Sequence, residues 1–106
     1  MESKFIKVSI IIPVLNEEIN IPDVLNNLQS FRSKGQDVVI VDGGSRDNSL
    51  MLAQQGADLV IESKAGRARQ MNSGAAVAIG DIFLFLHCAT LLPDNDIEVV
   101  VGNFQR

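Results

Sequence analysis

A chain of 106 residues, 46% of them hydrophobic, suits one domain with one modest core and is too apolar to be disordered. A net charge of −4 and a pI near 4.7 argue against nonspecific binding to nucleic acid or to an anionic membrane, although a local site with two or three cations is compatible with both. The single cysteine, Cys88, excludes an intrachain disulfide, and the lack of Trp and Tyr leaves little material for a stacking platform.

The start, Met1-Glu2-Ser3-Lys4-Phe5, lacks the apolar core of a signal peptide, and the longest apolar run, Val8 to Leu15, is too short to span a bilayer. With the lone cysteine, this predicts a soluble, cytoplasmic chain. No repeat, low-complexity tract or linker interrupts it, so residues 1–106 are expected to form a single domain.

A first strand is predicted over Lys7 to Val14, with Pro13 ending its hydrogen bonding. The polar loop Asn16-Glu17-Glu18 leads to a helix from about Ile21 to Arg32. Asn20 can cap that helix, Ile21, Val24, Leu25, Leu28 and Phe31 give it one apolar face, and Lys34-Gly35 closes it. Asp37 to Asp42 is the second strand, with four β-branched residues in a row, as expected of a strand buried on both faces. A helix from about Asp47 to Gln55 follows, capped by Asp47 or Ser45, and then a short strand over Asp58 to Glu62.

Lys64 and Gly66 lead into a helix from about Arg67 to Ala78, whose small residues suit close packing on a sheet. Ile82 to Leu86 is a fourth strand, apolar at every position, and a last helix is predicted from about Asp94 to Phe104. Strand and helix alternate four times, which predicts an α/β fold with a parallel sheet and right-handed crossovers.

Parallel strands bring their carboxyl-end loops to one rim, where such sheets bind ligands. That rim would collect Asn16 and Glu17, then Asp42 and Ser45, then Lys64, Arg67 and Arg69, and last His87, Cys88 and Thr90. Carboxylates, cations and a histidine together suit a polar anionic ligand such as a nucleotide diphosphate. The glycine-rich dinucleotide turn and the P-loop lysine are both missing, and no paired cysteines suggest zinc. Blander roles stand beside these. Asp42 could simply form the turn before Gly43-Gly44, and Glu17 could cap the first helix. Arg67 and Arg69 could be surface cations, His87 a buried histidine and Cys88 a packing residue.

Four segments in order, Ile11-Ile12-Pro13-Val14-Leu15-Asn16-Glu17, Val41-Asp42-Gly43-Gly44-Ser45-Arg46-Asp47, Gly66-Arg67-Ala68-Arg69-Gln70-Met71-Asn72 and Phe85-Leu86-His87, resemble family-two glycosyltransferases. The resemblance implies a three-layer Rossmann-like half-domain, with a four-stranded parallel sheet of order 3-2-1-4 and helices on both faces. It implies binding of a nucleotide-diphosphate sugar, a UDP-sugar above all, for glycosyl transfer with inversion. Pro13 and Val14 would line the base pocket with Glu17 near the nucleoside. Asp42, followed by Gly43, would accept a hydrogen bond from the base, and Arg67 would lie near the base or the phosphates. The segment at His87 would bind the ribose and a divalent metal, magnesium or manganese.

Two departures from the family pattern follow. The position expected to supply the metal-binding aspartate is Ala89, whose methyl group cannot ligate a hard cation, and Asp94 and Asp96 are poorly placed to replace it. Members of the family also continue well past this length, with the acceptor site and the catalytic base in their second half. The chain is therefore expected to be a truncated donor-binding half with no catalytic base, impaired in transfer alone. The alternative is a module that binds nucleotide without metal, or one that dimerises. In the implied strand order the apolar fourth strand could be an exposed edge, which predicts self-association as a homodimer.

Overall fold

The two strands with the longest β-branched runs form the centre of the sheet. The computed structural model describes residues 5–92, so the predicted last helix, with Asp94 and Asp96, lies outside the described residues. Four strands, β1 (Val8–Val14), β2 (Asp37–Asp42), β3 (Leu59–Glu62) and β4 (Ile82–Phe85), alternate with α1 (Ile21–Ser33), α2 (Ser49–Gln54) and α3 (Arg67–Val77). The sheet order is β3-β2-β1-β4 and every pair is parallel, as expected.

Alternation along β1 and β2 divides the core between two faces. Val8, Ile10, Ile12 and Val14 of β1, with Val38 and Ile40 of β2, pack against the apolar stripe of α1 and Ala53 of α2. On the other face, Ile11, Val39 and Val41 pack beneath α3, with Ala75 in the contact. The small residues of α3 allow this approach: a Cβ on Gly74 would lie 2.5 Å from Ile11 Cγ2 and 2.9 Å from Val41 Cγ2.

The amino-end rim is tied by side chains. Ser9 Oγ donates to Asp37 at 2.6 Å and accepts from the Gly80 N–H. Arg32 pairs with both oxygens of Asp58, which also accepts the Val38 N–H at 2.7 Å. Burial pushes the Asp58 carboxyl up. The Arg32 hydrogen bond, the Val38 amide and the charges of Arg32 and Lys7 outweigh it, so its pKa falls below the ordinary value.

Some local expectations need correction. Asn20 stands at the start of α1, but its side chain caps no helix amide; it donates to Glu17 Oε1 instead, because Glu17 presents both its carboxylate and its carbonyl to this turn. Pro13 does not end β1. Pairing with β4 stops at Ile11, while pairing with β2 continues through Pro13 to Val14.

β4 is the edge of the described sheet and is only half covered. Ile82 and Leu84 pack on the α1 side, whereas Phe83 is 41% and Phe85 46% exposed. No helix among the described residues is long and apolar enough to cross a membrane.

Candidate functional site

At the carboxyl ends of β1 and β2, two loops about thirty residues apart in sequence are joined by reciprocal hydrogen bonds. Asn16 adopts a left-handed backbone (φ 54°), which an asparagine tolerates. Its N–H donates to Ser45 Oγ at 2.9 Å, and its Oδ1 accepts the Arg46 N–H at 2.8 Å. The Glu17 N–H donates to Ser49 Oγ, and the Glu18 N–H to Asp47 Oδ2. In return, Glu18 Oε1 accepts the Asn48 N–H. Asp47 Oδ1 accepts the Ser49 N–H at the start of α2, so Asp47 serves that helix as expected, although Asn48 is its N-cap. Hydrogen bonding from the Ser49 side chain is the largest influence on the Asp47 carboxyl. With the Ser49 and Glu18 amides it holds Asp47 below its ordinary value against the opposing effect of burial.

Asp42 is buried beneath this junction and faces its own turn. Its Oδ2 accepts the N–H groups of Gly44 (3.0 Å) and Ser45 (2.9 Å), and its Oδ1 accepts the Ser45 hydroxyl at 2.6 Å. Gly44 makes the turn possible with φ +96°, a conformation that side chains disfavour. The turn-forming role of Asp42 is therefore real.

A cleft of about 270 Å³ opens beside the turn, lined by Pro13, Val14, Leu15, Glu17, Gly66, Arg67, Gln70 and His87. Of the residues expected in a site, Pro13, Val14, Glu17, Arg67 and His87 come together on its walls. Asp42 and Gly43 are not on its lining; Gly43 lies under the Gln70 amide. A larger hollow of about 510 Å³ lies at the opposite rim, but its Arg32 and Asp58 are committed to each other. The smaller cleft has the converging loops.

Arg46, Lys64, Arg67 and Arg69 are all exposed and have no ion-pair partner among the described residues, so this rim sets four cations beside the carboxylates of Glu17, Glu18, Asp47 and Glu62. His87 is exposed, which removes the buried-histidine reading. Its Nδ1 accepts the Ala89 N–H at 3.2 Å, which fixes the ring against the turn after β4.

Cys88 is buried in the core. Burial, and then the negative charge of Glu17, push its thiol up to about 12, so it is neutral and unreactive at physiological pH. Ala89 offers only a methyl group. Together His87, Cys88 and Ala89 are a poor donor set for a hard divalent cation, and among the described residues no group of three potential ligands converges.

The residue that sequence reasoning passed over is Gln70. Its side chain is buried at the base of the cleft and donates to the carbonyls of Val14 (2.8 Å) and Val41 (3.0 Å). The sequence hints at it through its place in the Gly66–Asn72 segment, four residues after Gly66, and through the glycine at position 43, but assigns it no role.

The family model for glycosyl transferase family 2 matches residues 9–106. An undecaprenyl-phosphate 4-deoxy-4-formamido-L-arabinose transferase from Pseudomonas paraeruginosa is 30% identical over 105 residues, covering 89% of this chain and 31% of the relative. The chain thus spans about a third of the length of the curated relatives it matches. Among solved structures, the mannosyltransferase PcManGT from Pyrobaculum calidifontis, in complex with GDP-Man and Mn2+, superposes with a TM-score of 0.83 at 24% identity, covering 93% of this chain and 32% of that one. TarS 1–349 from S. aureus, in complex with UDP-GlcNAc, gives 0.76 at 24% identity, covering 91% and 30%. At these identities the structures speak for the fold alone.

Proposed function

Because the chain belongs to glycosyl transferase family 2, we propose that its cleft binds a nucleotide-diphosphate sugar, with uridine diphosphate as the nucleotide. One observation carries the reading. Three segments distant in sequence, Pro13–Glu17, Gly66–Gln70 and His87, converge on one cleft at the carboxyl ends of parallel strands. In this reading Pro13 and Val14 give the base an apolar wall and Glu17 faces the nucleoside. Asp42 and Gly43 support that wall from beneath, and Asp42 turns a remaining lone pair to the base when ligand enters. Arg67 and His87 meet the ribose and the diphosphate. Glycosyl transfer breaks the bond between sugar and diphosphate, so negative charge grows on the leaving group, and fixed cations there lower the barrier.

Family relatives suggest a divalent metal in that role. The residues after β4 do not fit one: the Ala89 side chain has no donor atom, Cys88 is a buried neutral thiol, and His87 alone offers one borderline nitrogen to a hard ion. We therefore propose metal-independent nucleotide binding, with Arg67 as the counter-charge and His87 offering its Nε2–H as a neutral donor. Residues 1–106 act as one domain that holds the donor and do not complete transfer unaided.

Calorimetric titration with UDP, in chelator and again with manganese, tests both parts. Equal binding in the two buffers is expected, with no sugar transfer from UDP-sugars. No binding of UDP in either buffer defeats the nucleotide reading, and binding only with manganese defeats its metal-independent part.

The exposed Phe83 and Phe85 on an edge strand favour a further proposal, a homodimer joined at β4. Light scattering at micromolar concentration should give twice the chain mass; a monomer there ends the idea. The buried, reduced Cys88 suits a cytoplasmic setting.

A further inference from the structure

A buried carboxamide lies where the sheet ends and the cleft begins. Gln70 is 4% exposed, and both hydrogens of its Nε2 are used, on Val14 and Val41. Its Oε1 faces the Gly66 N–H at 3.3 Å, a long bond. Val14 is the last residue of β1, and its carbonyl also accepts the Gly43 N–H at 2.9 Å. Val41 precedes Asp42, the last residue of β2.

The side chain thus bridges the two central strands at the point where their loops diverge. It also ties the first turn of α3 to them. Gly43 leaves room for it: a Cβ there would lie 2.8 Å from Gln70 Cδ and Oε1. Met or Leu would fill the volume but remove the side-chain donor from both strand carbonyls, leaving Val14 with the Gly43 N–H, and Glu would set a carboxylate against them.

We propose that Gln70 is a positioning residue of the nucleotide cleft. Its carboxamide fixes the spacing between the Pro13–Glu17 wall and the Asp42–Ser45 turn, and it seats Arg67 opposite them. This rests on the reading of the cleft as a nucleotide site.

The test is UDP affinity at a temperature well below the unfolding midpoint, where a residue that only adds stability leaves the dissociation constant unchanged. Gln70→Met and Gln70→Glu at about pH 8 should each weaken UDP binding about tenfold or more, the effect of losing one or two buried hydrogen bonds. Gln70→Glu should recover part of that loss, relative to the native chain, as pH falls to about 5.5, because burial among carbonyls raises its carboxyl and the neutral acid regains one donor. Gly43→Ala, which displaces the amide from the other side, should produce a like loss and keeps the test open if a Gln70 variant fails to fold.

Amide exchange gives a readout without ligand. The Gly43 and Gly66 N–H groups should exchange faster in Gln70→Met, and Val38 at the far end of β2 should not. Folded variants that bind UDP within about twofold of the native chain at every pH overturn the proposal, since that is under half a kcal/mol. If the native chain ignores UDP while exchange at Gly43 and Gly66 still rises, the nucleotide reading falls and the spacing role stands. If neither changes, both fall.

Discussion

Replacing Asp42 separates its structural duty from any role toward ligand. Its carboxylate accepts three hydrogen bonds, two from the amides of Gly44 and Ser45 and one from the Ser45 hydroxyl. Gly44 is exposed, so water can replace its lost partner at little cost. Ser45 is half-buried and loses two bonds to a charged acceptor, each worth about 1.5–3 kcal/mol. Removing a buried carboxylate also relieves its desolvation, which offsets part of that loss. Asp42→Ala should therefore destabilise the chain by about 2–3 kcal/mol, a large share of the ~5–15 kcal/mol typical of a domain.

Asp42→Asn keeps one oxygen for the two amides. Its NH2 group would face Ser45 Oγ, which already accepts from Asn16 and would have to accept again, so about 1 kcal/mol should be lost. Equilibrium urea unfolding gives both values, and the slope with denaturant should stay constant. An Asp42→Ala chain within about 0.5 kcal/mol of native, or an Asn variant less stable than the Ala variant, would show that these bonds do not hold the turn.

Gly74→Ala should lower the melting temperature although alanine favours helix by about 1 kcal/mol, because its Cβ meets Ile11 and Val41 and overpacking costs about 1–3 kcal/mol; a raised midpoint would mean that α3 lifts freely. The depressed Asp58 carboxyl contributes stability that is present above its unfolded value near 3.8 and lost as pH falls through its lower folded value. Arg32→Ala should flatten that acid loss between about pH 5 and pH 2, read from urea midpoints, and an unchanged slope would count against the pair. Cys88, with its thiol pushed to about 12, should resist alkylation near pH 8 in the folded chain and react quickly in urea; rapid labelling of native protein would contradict its burial.

The central strands and α1 were legible because their signals are local. The β-branched runs of β1 and β2, and the spacing Ile21, Val24, Leu25, Leu28, Phe31, need no distant partner to be read. The half exposure of β4 was not legible. A strand apolar at every position gives no polar marker for its open face, and the exposure of Phe83 and Phe85 depends on how far α3 reaches across the sheet. Asp42 before two glycines was readable as a turn former, and its three bonds bear that out.

Gln70 was hidden for another reason. Its burial is set by carbonyls 56 and 29 residues away, and a glutamine in a helix reads as a surface residue until the fold brings Val14 and Val41 beneath it. Ala89 marks the opposite case, where a single methyl group is enough to question a whole cofactor, because hard-cation chemistry needs an oxygen at that place.

The interlocked loops after β1 and β2 constrain how this rim can change. Asn16 answers to Ser45 and Arg46, Glu17 to Ser49, and Glu18 to both Asp47 and Asn48. A one-residue insertion in either loop puts every one of these pairs out of step at once. Transplanting one loop from a relative should therefore fail where transplanting both succeeds, because each loop carries the other's hydrogen-bond partners.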